Sequence, residues 1–197
     1  MISADITKRQ LEIIEAAGKI LTKSGVSSLT IKNLAKEMKF SESAIYRHFT
    51  SKEDIIIAML NYMAESMDVR STKLSEAAGS PDEKFRAMFQ GQFSFSQENP
   101  HFVVAVLSDG LIEESQRINE ALLKVMKVKM SHLMPIIKAG QQAGIFTNAV
   151  AVEELTHIVM ASFRLQMLKW RMSGFSFNIV EAGNKLIDAL LTLMKAK

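Results

Sequence analysis

Between Thr30 and Lys52 the chain reads TIKNLAKEMKFSESAIYRHFTSK, and several of these side chains are suited to gripping a nucleic-acid duplex. Tyr46 and His48 can donate hydrogen bonds to phosphate, while Arg47 can pair with phosphate or reach the acceptor edge of guanine. Ser41, Glu42 and Ser43 open a helix, and the N-terminal part of a DNA-reading helix commonly meets base edges. Against DNA, Glu42 must either accept from cytosine N4 or turn away. Thr30 is placed to cap a helix, so its hydroxyl and the neighbouring amides face outward, where phosphate binds well. Lys52 falls in the first turn of the following helix, where a cation works against the helix dipole. An anion in front of that turn accounts for its placement. Lys32 and Lys39 add charge attraction without sequence preference.

The elements that must hold these groups are two short helices and the turn between them. Thr30 caps a helix with Ile31, Leu34, Ala35 and Met38 facing inward. Ser41 caps a second helix that runs to about Phe49. Ala35 supplies the small residue their crossing needs, and Met38, Phe40 and Ile45 lock the turn. Ahead of them, Asp5 or Thr7 starts a helix with Leu11, Ile13, Ile14, Ala17, Ile20 and Leu21 on one buried face, and Gly25 follows it as a left-handed cap. Behind them, Thr50 and Ser51 stand ahead of Glu53 and Asp54 in capping-box spacing. The helix they open carries Ile55, Ile56, Met59, Leu60, Met63 and Met67 towards Ser75.

The rest also has helical periodicity. Ala77-Ala78-Gly79-Ser80 breaks the pattern, and Ser80-Pro81-Asp82-Glu83 restarts it with an N-cap, a first-turn proline and a capping acid. That helix holds Phe85, Met88, Phe89 and Phe93 and stops at Asn99-Pro100. A short helix over His101 to Leu107 follows, then a long one from about Ser115 to Gln142 with Pro135 kinking it. Two last helices span Val152 to Met172 and Phe177 to Lys195. The fold class is therefore all-α, an N-terminal helix-turn-helix domain joined to a larger helical domain.

Bulk properties agree. Of 197 residues, 48% are hydrophobic and 23% charged, enough for a packed core, and the scarcity of proline, 3, favours long helices. With no cysteine, disulfides, thiolate metal sites and a Cys nucleophile are excluded. A net charge of +3 is compatible with a polyanionic partner but weak evidence by itself. The N-terminus lacks a signal-peptide pattern and no apolar run approaches the ~20 residues of a membrane span, which points to a cytoplasmic protein without membrane contact. No Gly-rich phosphate loop or paired His/acid motif supports catalysis, no acidic residue or second histidine stands at ligand spacing around His48, and neither an enzyme, a metal nor a cofactor is expected.

Residues from about Arg9 to Leu60 resemble the N-terminal domain of the tetracycline-repressor (TetR) family. The match runs through Ala16-Ala17, Gly25, Thr30-Ile31, Leu34-Ala35, Ala44-Ile45-Tyr46-Arg47-His48-Phe49 and Ser51-Lys52-Glu53. In that family, residues matching Thr30, Ser41, Glu42, Ser43, Tyr46, His48 and Lys52 commonly contact the operator. Three positions depart from the pattern. Leu21 stands where Phe is usual, Lys39 where the turn has Gly, and Ser43 where Gly is common. The Lys39 departure costs about 1 kcal/mol if the left-handed turn is kept.

The resemblance implies residues 1–50 as the DNA-binding domain and 51–197 as a ligand-binding and dimerisation domain, with a helix over 51–78 linking the two. It also implies a cavity and a dimer interface made by the last two helices. Leu155, Val159, Ser162, Phe163, Leu186, Ala189, Leu190 and Leu193 recur at helical spacing there and are the interface candidates. Phe89, Phe93, Phe102, Met126, Met130, Phe163, Met167 and Trp170 offer aromatic and thioether surface for a largely apolar ligand, with Gln92, His132, His157 or Arg164 as polar anchors. The expected function is a homodimeric repressor that binds a palindromic double-stranded DNA operator and is released by a hydrophobic small-molecule inducer. Two other readings compete with it: an architectural DNA binder on the same scaffold without an inducer, and a helical carrier or enzyme.

Overall fold

The computed structural model describes residues 6–108, 111 and 115–196. Nine helices are assigned among them: α1 Lys8–Ser24, α2 Ile31–Met38, α3 Glu42–Tyr46, α4 Lys52–Glu76, α5 Pro81–Glu98, α6 Pro100–Val106, α7 Gln116–Gln142, α8 Val152–Met172 and α9 Ile179–Met194. A 3-10 turn, Val26–Ser28, follows α1. No strand is assigned among the described residues, and the one β-bridge pairs Phe146 with Lys195. These residues form two compact units. One draws on the chain up to Ser66 and on Pro100–Met126, the other on Met67–Asn99 and Lys127–Lys197, so two of the three crossings fall inside long helices, α4 and α7, and the third between α5 and α6.

In the first unit the sequence signals translate directly into caps. Thr7 makes a full capping box with Gln10, and Asp5, the other candidate, lies outside the described residues. Gly25 takes a positive φ of 76°, but with ψ at 179° rather than the left-handed cap expected of it. Ile13, Ile14, Ala17, Leu21, Leu34 and Ile45 are buried together with Ile55, Ile56, Met59 and Leu60 of α4. Helix α6 packs on α1 where Gly18 leaves room for the His101 ring. A Cβ there would lie 2.7 Å from His101 Cγ, closer than packed carbons approach.

The second unit is built around phenylalanine. Phe85, Phe89 and Phe93 of α5 are fully buried, and Phe163 of α8 lies 5.6 Å from Phe89 and 5.1 Å from Phe93, centroid to centroid. Helix α9 approaches α5 at Gly183, where a Cβ would stand 2.3 Å from the Phe93 ring. Only glycine permits that crossing without moving an aromatic side chain that is already packed. Pro135 lies within α7, as expected, and Ser80-Pro81-Asp82-Glu83 forms the capping box of α5.

Candidate nucleic-acid interface

Helices α2 and α3 form the helix-turn-helix. The Thr30 hydroxyl accepts the Asn33 amide at 3.1 Å, and the Ser41 hydroxyl accepts the Ala44 amide at 3.2 Å, so each helix begins on a satisfied N-cap. Between them the chain turns through Lys39, in the left-handed region at φ 56°, ψ 41°. The Lys39 amide donates to the Lys36 carbonyl at 3.2 Å and the Phe40 amide to the Ala35 carbonyl at 2.8 Å. This pair of bonds is a Schellman ending, which usually takes Gly at the position Lys39 occupies. The turn therefore keeps its left-handed geometry despite the lysine, at a cost of about 1 kcal/mol.

Burial sorts the side chains of this region. Leu34, Ala35, Ile45 and Phe49 face the core. Phe40 instead stays partly exposed, with the Arg9 guanidinium carbon 5.1 Å from its ring centroid. Its contribution to the turn is thus a cation–π contact rather than full burial. Thr30, Lys32, Ser41, Glu42, Ser43, Tyr46, Arg47 and His48 are all exposed, Tyr46 to 51%, while Lys52 is half-buried. All eight exposed residues belong to the first unit. The structure ends α3 at Tyr46 rather than near Phe49, because the His48 and Phe49 amides both return to the Ile45 carbonyl and the chain leaves for the next cap. Gln10 Nε2 donates to the His48 carbonyl at 3.3 Å, which ties α1 to this exit.

The hydroxyls at the head of α3 pair with each other. Ser41 Oγ and Ser43 Oγ are 2.9 Å apart, and a hydroxyl has one donor and two acceptor sites. Ser41 Oγ already accepts from Ala44; if it donates to Ser43, the Ser43 proton remains directed to solvent.

A cluster of charge fixes the start of α4. Arg117 Nη1 donates to Glu53 at 2.9 Å and Nη2 to Asp54 at 2.8 Å, and Ser115 donates to Glu53. The Thr50 hydroxyl first, then Arg117 and the Ser51 hydroxyl, hold the Asp54 carboxyl below its usual range. Lys52 sits in the turn so anchored. Sequence reasoning identified the caps of α4 but not Arg117, whose partners are more than sixty residues away in the chain.

The ligand candidates divide between the units. Phe102 belongs to the first, stacked at 6.2 Å on Tyr62, and Met126, also there, is largely exposed. Phe89, Phe93 and Phe163 meet in the second, with Met167 buried and Met130 half-buried in that unit. Trp170 closes the end of α8, its Nε1 donating to the Phe177 carbonyl at 2.9 Å. Of the anchors, His132 pairs with Asp68 at 2.7 Å, His157 and Arg164 are exposed, and Gln92 is buried with Nε2 unpartnered among the described residues. A cavity of about 220 Å³ lies against Gln92, lined also by Met67, Arg70, Leu74, Met88 and Gly91. A second, more open cavity of about 410 Å³ borders His132, Lys84 and Pro135.

One group in this interior was not singled out from the sequence. Lys129 of α7 is 6% exposed, with its Nζ 3.0 Å from the Phe163 ring centroid and 5.3 Å from that of Phe89. No ion pair or hydrogen bond to it is found among the described residues, and burial pushes its ammonium well below the usual lysine range. A desolvated cation–π contact offsets about 2 kcal/mol, against a desolvation cost of several kcal/mol for an ammonium. The signal was available in the spacing, since Lys129 lies in register between the buried Val125 and Leu133 of α7.

The interface candidates divide as well. Leu155, Val159 and Leu190 are buried within the chain itself, Val159 completely, and offer a second copy essentially no surface. Ser162, Phe163 and Leu186 are half-buried, while Ala189 and Leu193 are exposed. On α8 the exposed large apolar residues are Ile158, Leu165 and Met172. Among the described residues no group of three or more His, Cys, Asp or Glu could hold a metal ion, and no helix is long and apolar enough to cross a membrane.

Comparison with known proteins adds the following. Residues 13–59 match the family Bacterial regulatory proteins, tetR family, and residues 60–193 match the family YsiA-like protein, C-terminal region. The HTH-type transcriptional repressor NicS of Pseudomonas putida is 25% identical over 178 residues, covering 90% of this chain and 84% of that protein. The nucleoid occlusion factor SlmA of Vibrio campbellii is 25% identical over 139 residues, 70% of this chain and 71% of that protein. In fold, the chain is similar to the transcriptional regulator FadR from Bacillus subtilis, solved in complex with stearoyl-CoA, with a TM-score of 0.80 at 20% identity over 92% of this chain and 97% of that one.

Proposed function

We infer that this chain, which belongs to the tetR family of bacterial regulatory proteins, is a cytoplasmic homodimeric repressor whose two helix-turn-helix units read a palindromic operator and let go when a largely apolar inducer binds. The observation that carries the reading is the exposure of Thr30, Lys32, Ser41–Ser43 and Tyr46–His48 on a helix-turn-helix held by the buried Leu34, Ala35, Ile45 and Phe49, with Lys52 at the start of α4. Tyr46, His48, Thr30 and Lys52 hold phosphate; Ser41, Glu42, Ser43 and Arg47 face base edges. Phosphate contacts set affinity and its salt dependence, and base contacts set sequence preference.

Dimerisation is supported by the outward stripe on the last two helices. Ile158, Leu165 and Met172 recur every seven residues on α8, and so do Leu186 and Leu193 on α9, beside Ala182 and Ala189. An apolar seven-residue repeat presents one seam to a neighbouring helix at a shallow crossing angle. A two-fold dimer carries two reading units, as a palindromic operator with half-sites about one turn of DNA, roughly 34 Å, apart requires. The inducer acts only through its differential affinity for the operator-competent and released geometries. The likeness to NicS favours repression, and the stearoyl-CoA bound to the structural neighbour favours an apolar ligand.

The likeness to SlmA supports a second reading, a DNA binder with an architectural or division-linked role and no inducer. Selection from random duplex DNA at near-physiological salt separates the two. Enrichment of a palindrome, lost in Tyr46→Ala and Lys52→Ala variants that still dimerise, is the result expected of a repressor. Binding without an enriched sequence favours the architectural role, and wild-type affinity in both variants overturns the site.

A further inference from the structure

Gly91 has no packing reason to be glycine. The helical glycines Gly18, Gly140 and Gly183 each face a ring that a Cβ would strike. Gly91, in the middle of α5, has nothing within 4 Å of where its Cβ would stand, and glycine inside a helix is destabilising relative to alanine. What it borders is the cavity of about 220 Å³ whose walls are α4 and α5 of the second unit. Ala87, one turn earlier, borders it too, and both residues are exposed, so these two small residues form its mouth. Inside, the wall is buried: Met67, Ser71, Met88 and Gln92 are each 9% exposed or less.

The chemistry of this wall is one-sided. Gln92 Nε2 is buried without an acceptor among the described residues, a rare state in a folded chain. Arg70 lines the same cavity, half-buried, with its guanidinium carbon 4.0 Å from the Phe95 ring centroid. That contact engages the face of the guanidinium, while its five N–H donors lie in the plane. Ser71 adds a hydroxyl, Leu74 joins the two methionines as apolar surface, and among the described residues no acidic side chain lines the cavity. Donors and a cation without an anion call for an acceptor, best a carboxylate. Size narrows the class further. A cavity of about 150 Å³ holds a benzene ring, and the remainder here equals about two waters at roughly 30 Å³ each, the space of one small polar substituent.

We propose that the cavity between α4 and α5 binds a monocyclic aromatic carboxylate that enters past Ala87 and Gly91, its carboxylate paired to Arg70, its ring against Met67, Leu74 and Met88, and the Gln92 amide a further donor. The proposal deepens the ligand-responsive reading above and rests on it. Two thioethers suit a flat ring, because sulfur meets aromatic edges favourably. The alcohol of the same ring brings no anion to Arg70 and binds more weakly. A side chain at position 91 meets no obstacle in the fold and closes the mouth.

The test uses the full chain as wild type, Gly91→Leu and Arg70→Met, titrated with benzoate and with benzyl alcohol in a calorimeter. Wild type is expected to bind benzoate about tenfold or more tightly than benzyl alcohol. Gly91→Leu is expected to lose binding of both probes, while unfolding at a higher temperature than wild type, which shows that the variant folds. Arg70→Met is expected to keep its binding of benzyl alcohol and lose the preference for the acid. Benzoate and benzyl alcohol binding alike in wild type, benzoate binding undiminished in Gly91→Leu, an acid preference that survives in Arg70→Met, or no benzoate binding at millimolar concentration overturns the proposal. Binding of wild type to duplex DNA without probe, measured alongside, separates failure of this site from failure of the regulator reading.

Discussion

Mild acid is expected to destabilise the DNA-reading unit through one residue, His101. Burial alone pushes its imidazole from 6.5 down to about 4. The unfolded chain binds this proton more readily than the folded one, so stability is complete above the unfolded value and falls as pH drops from 6.5 towards 4, where the folded ring protonates as well. At about 1.4 kcal/mol per pH unit of difference, the full loss is about 3 kcal/mol; because the ring keeps some access to water, about 2 kcal/mol is the working expectation. Against a typical total of about 5–15 kcal/mol this is a large share. The loss falls on the packing of α6 against α1, since the ring fills the space left by Gly18 and lies 4.3 Å from the Phe102 ring. Urea unfolding at about pH 7 and about pH 4.5, in wild type and His101→Phe, isolates the effect, because every other titrating group is common to both proteins. Wild type should lose about 2 kcal/mol more than the variant over this interval. Parallel losses in the two proteins would refute the argument. Asp54 titrates elsewhere, because its lowered carboxyl protects stability above 3.8 and releases it only as pH falls further.

Two more predictions concern the reading head. Lys39→Gly should raise stability by about 0.5–1 kcal/mol, since glycine relieves the left-handed strain and loses only part of the gain to its greater freedom when unfolded; thermal unfolding checks this, and an unchanged or lower midpoint would mean the lysine contributes contacts that outweigh the strain. Arg117→Met should weaken operator binding by loosening the anchored first turn of α4, where Lys52 sits, without changing how affinity falls with salt. Lys52→Ala, by contrast, should reduce the salt slope by about one. A reduced slope in Arg117→Met would make that guanidinium a phosphate contact instead.

The local grammar of this chain was legible because caps and periodicity act within a few residues. Thr30, Ser41 and the Ser80-Glu83 box all cap the helices expected of them, and α8 begins at Val152 and ends at Met172 as its pattern predicts. What the sequence left hidden depends on rotation about helix axes and on distant partners. A small rotation of α8 decides that Val159 turns inward while Ile158 faces out, and periodicity alone assigns both to one broad apolar stripe. Arg117 finds Glu53 and Asp54 across more than sixty residues, a distance at which pattern carries no information. The aromatic candidates were recognised as a set, yet nothing in their spacing separates Phe102, in the first unit, from Phe89, Phe93 and Phe163 in the second.

Where local rules are broken, the compensation indicates the role. Lys39 and Phe175 are the non-glycine residues with positive φ among those described. At Phe175, with φ at 62°, the compensation is local: its amide closes the end of α8 on the Trp170 carbonyl, and its ring meets the Trp170 indole edge-on at 4.8 Å. Edge contacts of this kind contribute about 0.5–1.5 kcal/mol beyond burial, comparable to the strain of about 1–2 kcal/mol. That site therefore balances as structure alone. Lys129 does not balance, because two ring faces offset less than the desolvation of its amine, and neither does the exposed apolar seam of Ile158, Leu165, Met172 and Leu193. Natural sequences keep such inconsistencies chiefly where function requires them. The first marks a place where packing alone gives no account of the sequence, and the second is the surface that the proposed dimer covers.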